Sequence, residues 1–267
     1  MTTLTASPGT GARTASPHRV TFPRLLRSEW MKLTSLRSTW WSLAIATVLS
    51  VAISMLIAAA SADLSPGFPA VTAILSPTQF TMLVAGILGA IAVTGEYSTG
   101  MIRSTLAAEP RRGAVLVAKA VVVAALMGVT TIVSYATAIA VTAGMLSEQI
   151  DWAEPTQSLI PLALGVLSMI AFALIGVGFG FIIRNGAGAI AATVGLLFVL
   201  PIVVSIFAIM GEAGRWIVDS GEYLPMNAAA ALSVPGADDL VGSLVALLVW
   251  VAALLAGGWG VLRTRDA

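Results

Sequence analysis

Side chains able to carry out catalysis or to hold a metal are scarce in this sequence. Cysteine is absent from the 267 residues and the single histidine is His18, so a thiolate or histidine-cluster metal site has no ligands. A phosphate-binding loop needs the pattern G-x-x-x-x-G-K-[ST], and Gly9 and Gly11 near the N-terminus are not followed by that lysine. We therefore predict that the chain is not an enzyme and holds neither a metal nor a cofactor of its own.

The composition places the chain in a membrane. Apolar residues make up 58% of the sequence and charged residues only 10%, and the mean hydropathy is +0.95. A soluble domain carries about 25% charged residues, so a water-soluble monomer is excluded. The net charge of +1 is also too small to indicate a nucleic-acid-binding protein.

Six stretches are long and apolar enough to cross a bilayer, which takes about 20 residues each. None of them contains a charged residue or a histidine; they cover residues 40–62, 77–94, 120–146, 159–183, 186–210 and 240–262. The chain therefore lacks the buried ionisable groups that ion-coupled carriers use and the nucleophile–base pair of an embedded hydrolase. We predict an all-α integral membrane protein with six transmembrane helices.

The loop charges indicate an orientation. If the N-terminus lies inside, thirteen of the fourteen basic residues fall on the inner side and only Arg215 lies outside. Nine of the thirteen acidic residues fall outside under the same assignment. Basic residues remain on the cytoplasmic side of membranes, so both termini are predicted to be cytoplasmic.

The N-terminal region divides into two parts. Residues 1–21 are rich in Thr, Ser, Ala and Pro without apolar periodicity, and we predict a disordered cytoplasmic tail. From residue 22 onward, apolar side chains recur at helical spacing at Phe22, Leu26, Trp30, Leu33 and Trp40, and we predict an amphipathic helix over residues 22–39. Arg27 and Lys32 lie elsewhere around this predicted amphipathic helix, which either rests among lipid headgroups or serves only as a basic flank that orients the first span.

The loop between the second and third spans, residues 95–113, is the most informative segment. Its charged and structural positions are Glu96, Tyr97, Gly100, Met101, Arg103, Leu106, Pro110, Arg111 and Arg112. A short helix from about Thr99 to Ala108 would place Met101, Ile102 and Leu106 on one side, and Pro110 would end it.

The order of these features resembles the ABC-2 type permeases, the membrane subunits of bacterial ABC exporters. The similarity rests on the basic, Trp-containing helix before the first span, on the Glu96, Gly100, Arg103, Leu106, Pro110, Arg111 and Lys119 order, and on the Leu224-Pro225-Met226-Asn227 turn. It implies one transmembrane domain over residues 22–267 in the bacterial cytoplasmic membrane. The segment 22–39 would be the family's elbow helix, and the loop 95–113 would carry the coupling helix that docks on an ATPase subunit.

The resemblance also implies partners. ATP and magnesium would be bound by a separate ABC ATPase, and a second permease copy or a paralogue would complete the twelve helices of the transporter. Within the docking loop we expect Glu96 and Arg103 to be the residues buried against the ATPase, and Arg111 and Arg112 to act mainly as basic anchors. The alternatives are a charged, solvated loop and a six-helix carrier or scaffold that works without an ATPase.

Two further segments carry predictions. The Gly176-Val177-Gly178-Phe179-Gly180 run allows close helix approach, and we expect it to pack within the subunit. The outer loop, residues 211–239, holds two apolar pieces that form either short helices dipping toward the membrane or turns of a surface loop. Spans without fixed charges are compatible with export of lipophilic drugs, lipids or polyketides, and the sequence does not specify which.

Overall fold

The computed structural model describes residues 21–64, 69–145, 150–237 and 240–265. The predicted N-terminal tail lies outside these ranges except for Thr21. The α-helices of the described ranges are α1 (Phe22–Ser35), α2 (Arg37–Leu64), α3 (Ala70–Leu75), α4 (Thr78–Ser98), α5 (Met101–Ala108), α6 (Arg112–Thr142), α7 (Leu159–Ile183), α8 (Gly186–Val194), α9 (Leu200–Ile206), α10 (Arg215–Gly221), α11 (Pro225–Leu232) and α12 (Leu240–Thr264).

Six helical segments of the described chain are long and apolar enough to cross a membrane, as predicted. They are Arg37–Ser61, Ala70–Ser98, Arg112–Thr142, Leu159–Ile183, Gly186–Gly221 and Leu240–Thr264. The second and third begin before their predicted starts at residues 77 and 120, because α3 leads almost directly into α4 and α6 starts at Arg112. The first span includes residues 37–39, which the sequence pattern assigns to the preceding amphipathic helix, because extended backbone at Leu36 (φ −82°, ψ 118°) ends α1 there.

Helices α4, α6 and α7 form the centre of the bundle. In the second, third and fourth spans, to which these helices belong, more than half of the most apolar stretch is buried. In the first, fifth and sixth spans less than a third of that stretch is buried. The closest contact joins α4 and α7. A Cβ atom at Gly176 would lie 1.9 Å from the Gly86 carbonyl oxygen, and one at Gly89 would lie 2.0 Å from that of Ala173. The two backbones therefore touch, which only glycine permits at these positions.

The predicted glycine run packs within the subunit. Gly176 and Gly180 face α4, where a Cβ at Gly180 would meet the Val93 side chain at 2.7 Å. Gly178 faces α12 instead, because its Cβ would lie 2.7 Å from that of Leu254. The alternating glycines of α7 thus let helices approach it from two sides.

The fifth span is interrupted twice. Pro201 has no backbone N–H to donate to the residue four positions earlier, and a π-helical turn over Gly195–Val199 precedes it, in which Leu200 N–H donates to Gly195 O. The 3₁₀ segment Phe207–Gly214 is broken at Gly211, whose φ of 59° lies in the left-handed region. The outer loop then forms two short helices, and α11 buries Ala229 and Leu232 in the main core beside α7 and α12.

The two described ends of the chain lie at the same end of the bundle. Leu25 of α1 packs against Val115 and Ala118 near the start of α6. Arg112, the first residue of α6, donates from Nη1 to the Leu262 carbonyl oxygen near the end of α12. We call this end, formed by α1, α5, the first turns of α6 and the last turns of α4, α7 and α12, the basic end.

Candidate functional site

Four charged side chains from three helices meet at the basic end. Lys119 Nζ of α6 lies 2.5 Å from Glu29 Oε2 of α1 and 2.7 Å from Glu96 Oε1 of α4. Lys32 Nζ of α1 lies 2.6 Å from Glu29 Oε1 and 3.0 Å from the same Glu96 Oε1. We call Glu29, Lys32, Glu96 and Lys119 the ionic cluster; it joins α1, α4 and α6 by direct charge-assisted hydrogen bonds.

The ionic cluster is buried and electrically balanced. The side chains of Lys119, Glu29 and Glu96 are 1%, 0% and 4% exposed, whereas that of Lys32 is 23% exposed. Two lysines face two glutamates, so removal from water leaves no net charge uncompensated. Lys32 and Lys119 are the only lysines in the sequence; the other twelve basic residues are arginines. A compact ammonium with three donors suits a point where carboxylates converge from several directions, whereas a planar guanidinium is bulkier.

Lys32 links the cluster to the short helix α5. Its Nζ also donates to Thr105 Oγ1 at 3.2 Å. Burial alone would lower the pKa of Lys32, but the hydrogen bond and charge of Glu29, followed by those of Glu96, raise that pKa above its ordinary value. Lys32 therefore stays protonated at neutral pH, and all three of its donors are used inside the protein.

Helix α5 has one face against the bundle and one face away from it. Gly100, at φ 71°, provides the left-handed turn that separates α5 from α4. Ile102 is buried, and Leu106 packs against the cluster formed by Leu25, Val115 and Ala118. Met101, Arg103 and Ser104 are exposed. One expectation was therefore wrong: Met101 does not share the buried side of Ile102, since successive residues of a helix lie about 100° apart. Arg103 is exposed in the single chain, and its burial against an ATPase stays a prediction.

The apolar side chains predicted along α1 divide between the bundle and the outer surface. Leu25, Glu29 and Leu33 are the buried residues of α1, and Leu26 is partly buried against the core. Trp30 and Trp40 of the predicted face are exposed, as is Arg27. The buried side of α1 is centred on Glu29, whose carboxylate is bonded to Lys119 inside the bundle. The indole N–H of Trp40 donates to Thr34 O at 2.8 Å and bridges the break between α1 and α2.

The turn from α5 into α6 is held by Glu109. Its Oε1 accepts from the backbone N–H and from Nε of Arg111, and its Oε2 accepts from Nη2 of the same residue. This hydrogen bonding holds the pKa of Glu109 below its ordinary value. Pro110 lies between the two residues and is exposed, and α5 ends at Ala108 just before this turn.

Two arginines close the end of the last helix. Arg112 Nη1 donates to Leu262 O at 2.6 Å, and Arg184 Nη2 donates to Val261 O at 3.0 Å. The last carbonyls of a helix lack intrahelical partners and carry the negative end of its dipole, so these arginines stabilise the end of α12. Arg184 also lies over the Tyr97 ring, 5.2 Å from its centroid, which connects the end of α7 to α4.

The comparison with protein families agrees with this architecture. The family model described as ABC-2 family transporter protein matches residues 21–217, about three quarters of the chain, from the first turn of α1 into α10. The chain belongs to the ABC-2 transporter family. Members of this family are membrane subunits and are not themselves the ATPase. A search of curated proteins found no match.

Within this ABC-2 protein, the sequence-predicted docking residues are brought together only in part. Glu96 belongs to the buried ionic cluster, Tyr97 and Arg112 hold neighbouring helices, and Gly100, Leu106, Pro110 and Arg111 shape the turns and inner face of α5. Met101 and Arg103 remain on the outer face. The sequence analysis did not identify Glu29 as a site residue, nor its ion pair with Lys119. The sequence did contain a signal for this pairing: Glu29, Glu96 and Glu109 are acids on the side of the membrane predicted to be basic. In the structure each of them has a basic partner.

Proposed function

We propose that the chain is the membrane subunit of an ABC-2 exporter and that a separate ATPase docks on the outer face of α5. The observation that carries this proposal is the two-sided burial of α5, with Ile102 held in the bundle while Met101, Arg103 and Ser104 face outward. A solvated loop would need no such buried anchor. An exposed basic and apolar helix face of this kind supplies a contact for a partner protein.

The same geometry supports a route for mechanical coupling. Thr105 of α5 is bonded to Lys32, and the ionic cluster continues from Lys32 to α4 and α6. A displacement of α5 by nucleotide-driven movement of the ATPase is therefore transmitted to α1 and to two central spans together. We infer that α1, α5 and the cytoplasmic ends of α4 and α6 move as one body.

We further propose that the basic end is cytoplasmic and that transport runs outward. Of the described basic residues, Arg215 is the one that lies away from the basic end, near the acidic residues Asp219 and Glu222. Reporter fusions after Arg103 and Arg184 should then be cytoplasmic, and a fusion after Asp219 should be external. A cytoplasmic fusion at Asp219 would contradict this orientation.

The remaining partner is a second membrane subunit, identical or related. The first, fifth and sixth spans leave most of their apolar surface uncovered by the rest of the described chain. Lipid covers part of this surface, and we propose that a second copy or paralogue covers another part. The transported molecule is expected to be lipophilic, because the spans present no fixed charge between the ionic cluster and the opposite end.

The proposal is tested by reconstituting the purified chain with its cognate ABC ATPase subunit. The chain alone should hydrolyse no ATP above background, and the pair should hydrolyse ATP at a rate that depends on this chain. Arg103→Glu should weaken ATPase co-purification at equal membrane expression about tenfold, since one reversed contact charge costs on the order of 1–2 kcal/mol. Arg24→Glu, an exposed position of α1, is the matched control. Full co-purification with Arg103→Glu, or ATP hydrolysis by the chain alone, would contradict the proposal and favour a carrier that works without an ATPase.

A further inference from the structure

A cavity of about 310 Å³ lies toward the end of the bundle opposite the basic end, between the start of α4, the middle of α7 and α11. Its apolar wall includes Leu75, Met82, Phe172 and Met226. Its polar wall includes the amide of Gln79 and the hydroxyls of Thr72, Ser76, Thr78 and Ser233. Cavities of this size, mainly apolar with a few placed polar groups, are typical of small-molecule sites. The described lining includes no residue of the ionic cluster or of α5.

The cavity lies where the fifth span stops covering α4. A Cβ at Gly86 would lie 2.6 Å from Cγ2 of Thr193 and 3.0 Å from Cδ1 of Leu197, so the fifth span packs directly on α4 at this level. Gln79 is seven residues earlier, which is about two helical turns, and therefore lies on the same face of α4. At the level of Gln79 the facing wall comes from α11, because the fifth span is interrupted at Pro201 and supplies no residue of the described lining. The Gln79 side of α4 thus borders open space.

Gln79 is the group of this cavity with unused hydrogen-bonding capacity. It is the only carboxamide in the six spans predicted from the sequence. Its side chain is exposed, and its amide is bonded to no other residue of the described ranges. The serine hydroxyls differ, because Ser76 donates to Thr72 O at 2.6 Å and Ser233 donates to Ala229 O at 2.8 Å. Their oxygens remain acceptors only, whereas a carboxamide both donates and accepts.

The walls favour an occupant without charge. Among the described residues that line the cavity there is no Asp, Glu, Lys, Arg or His. An ion that entered from water would lose hydration and meet no countercharge on these walls, which is costly. Met82, Phe172 and Met226 instead present polarisable apolar surface, which packs well against aromatic rings. The polar groups of the lining then decide how such a molecule is oriented.

We propose that this cavity binds an uncharged, largely apolar molecule that carries a carboxamide or a similar pair of donor and acceptor. The polar group of the ligand pairs with the Gln79 amide, and its apolar body lies against Met82 and Met226. It enters past Val234, which is exposed at the mouth of the cavity. Such a ligand belongs to the lipophilic class expected for the transported molecule. The binding itself requires no ATPase, so its test is independent of the docking proposed for α5.

Two pairs of variants separate the amide from the space around it. Gln79→Met removes the amide from an exposed side chain of similar length, and Gln157→Met makes the same exchange at an exposed position that does not line the cavity. Ala230→Leu adds volume to the cavity from α11. Ala231→Leu adds the same volume at the next residue, which is exposed and lies outside the lining, so it is the matched control.

The experiment labels the detergent-purified full chain with benzophenone, an uncharged diaryl ketone that couples on illumination to C–H bonds within reach. Peptide mass spectrometry then locates the adduct, which we expect at Met82 or Met226. The competitors are benzanilide and trans-stilbene, which have nearly the same shape although only benzanilide carries an amide. The measured quantity is the ratio of the concentrations of the two competitors that halve the labelling. Comparing this ratio between variants at one detergent concentration cancels the partitioning of the competitors into micelles.

The ratio should shift toward stilbene by about threefold to tenfold in Gln79→Met, the effect of about one hydrogen bond between uncharged groups. Gln157→Met should keep the wild-type ratio. Ala230→Leu should abolish labelling of the cavity, and Ala231→Leu should not. The proposal would be overturned by absence of an adduct on the cavity walls of the wild type, by labelling that survives Ala230→Leu, or by a ratio unchanged in Gln79→Met. If Ala230→Leu does not fold, the exposed Gln79 variant decides alone.

Discussion

The basic end and the α4–α7 contact join helices by opposite means. At the basic end, Glu29, Lys32, Glu96 and Lys119 hold three helices through buried charges. At the α4–α7 contact, Gly86, Gly89 and Gly176 let two backbones touch without any side chain between them. The first contact depends on matched charges, whereas the second depends on the absence of side-chain volume.

The difference reflects what each contact must specify. Lipid is as apolar as the spans, so packing of small residues, rather than the hydrophobic effect, drives helix association within the bilayer. Buried ion pairs contribute little net stability but penalise any arrangement that separates the partners. We conclude that the glycines fix the distance between central helices, while the ionic cluster fixes how α1 and the short helix α5 are joined to α4 and α6.

The largest effect is expected at the glycine contact. Gly176→Ala would place a methyl group 1.9 Å from the Gly86 carbonyl oxygen, and the rigid backbone of α4 must move to admit it. Overpacking of this kind costs about 1–3 kcal/mol and sometimes more, so we expect a large loss of folded protein, measured by size-exclusion yield and thermal unfolding in detergent. Gly260→Ala, with nothing within 4 Å, should be neutral. Equal behaviour of the two variants would show that the α4–α7 contact is looser than described.

The second effect is expected from breaking the ionic cluster. Lys119→Met leaves Glu29 and Glu96 buried with one lysine between them, and removing one partner of a buried pair costs about 3–5 kcal/mol, reduced here where Lys32 and solvent screen the carboxylates. The added change Glu29→Gln restores charge balance and should recover part of the loss. A thermal double-mutant cycle measures this coupling. If the two single losses simply add, Lys119 and Glu29 do not interact as the structure indicates.

A smaller effect is expected where Arg184 closes the end of α12. Arg184→Ala removes donors from Val261 O and Arg265 O but keeps a side chain at φ 59°. Arg184→Gly removes the same donors and relieves the left-handed conformation, which costs a non-glycine residue about 1 kcal/mol. The glycine variant should therefore unfold at a higher temperature than the alanine variant. The reverse order would mean that the conformation of Arg184 is not strained.

The smallest effect is expected from the pair of Glu109 and Arg111. Because the Arg111 hydrogen bonds lower the pKa of Glu109, the pair stabilises the protein above the ordinary pKa of 4.5 and loses this contribution as pH falls through the lower value in the folded protein. The difference in unfolding temperature between the wild type and Glu109→Gln should thus be small at neutral pH and should shrink as pH falls below the ordinary pKa of 4.5. Arg111→Ala should leave ATPase co-purification unchanged. A difference that grows on acidification would contradict this assignment of the pair.

The six spans and the close packing of α7 were predictable because both depend on local sequence. A bilayer requires runs of about 20 apolar residues, and the glycines at 176, 178 and 180 signal close approach wherever the partner lies. Pro201 belongs to the same group of local features, because a proline lacks the backbone N–H of a regular helix whatever its neighbours are. These features need no knowledge of which helices are neighbours.

The ionic cluster was not predictable in the same way. Glu29 is 90 residues from Lys119, and Lys32 is 64 residues from Glu96, so their pairing depends on how three helices pack. The same packing decides which side of α1 is buried, and periodicity alone did not indicate that Glu29 lies on that side. It also separates the two faces of α5, so that Arg103 became the candidate contact residue while Glu96 became part of the interior.

The proposed docking role of α5 is tested most directly by site-specific photocrosslinking in membranes that contain the cognate ATPase. A photoreactive side chain at Ser104, on the exposed face of α5, should form an adduct with a P-loop ATPase subunit. The same group at Ser220, exposed on α10 away from the basic end, should form none. An adduct from Ser220 alone, or none from Ser104 in membranes where the two subunits co-purify, would contradict the assignment of α5 as the ATPase-docking helix.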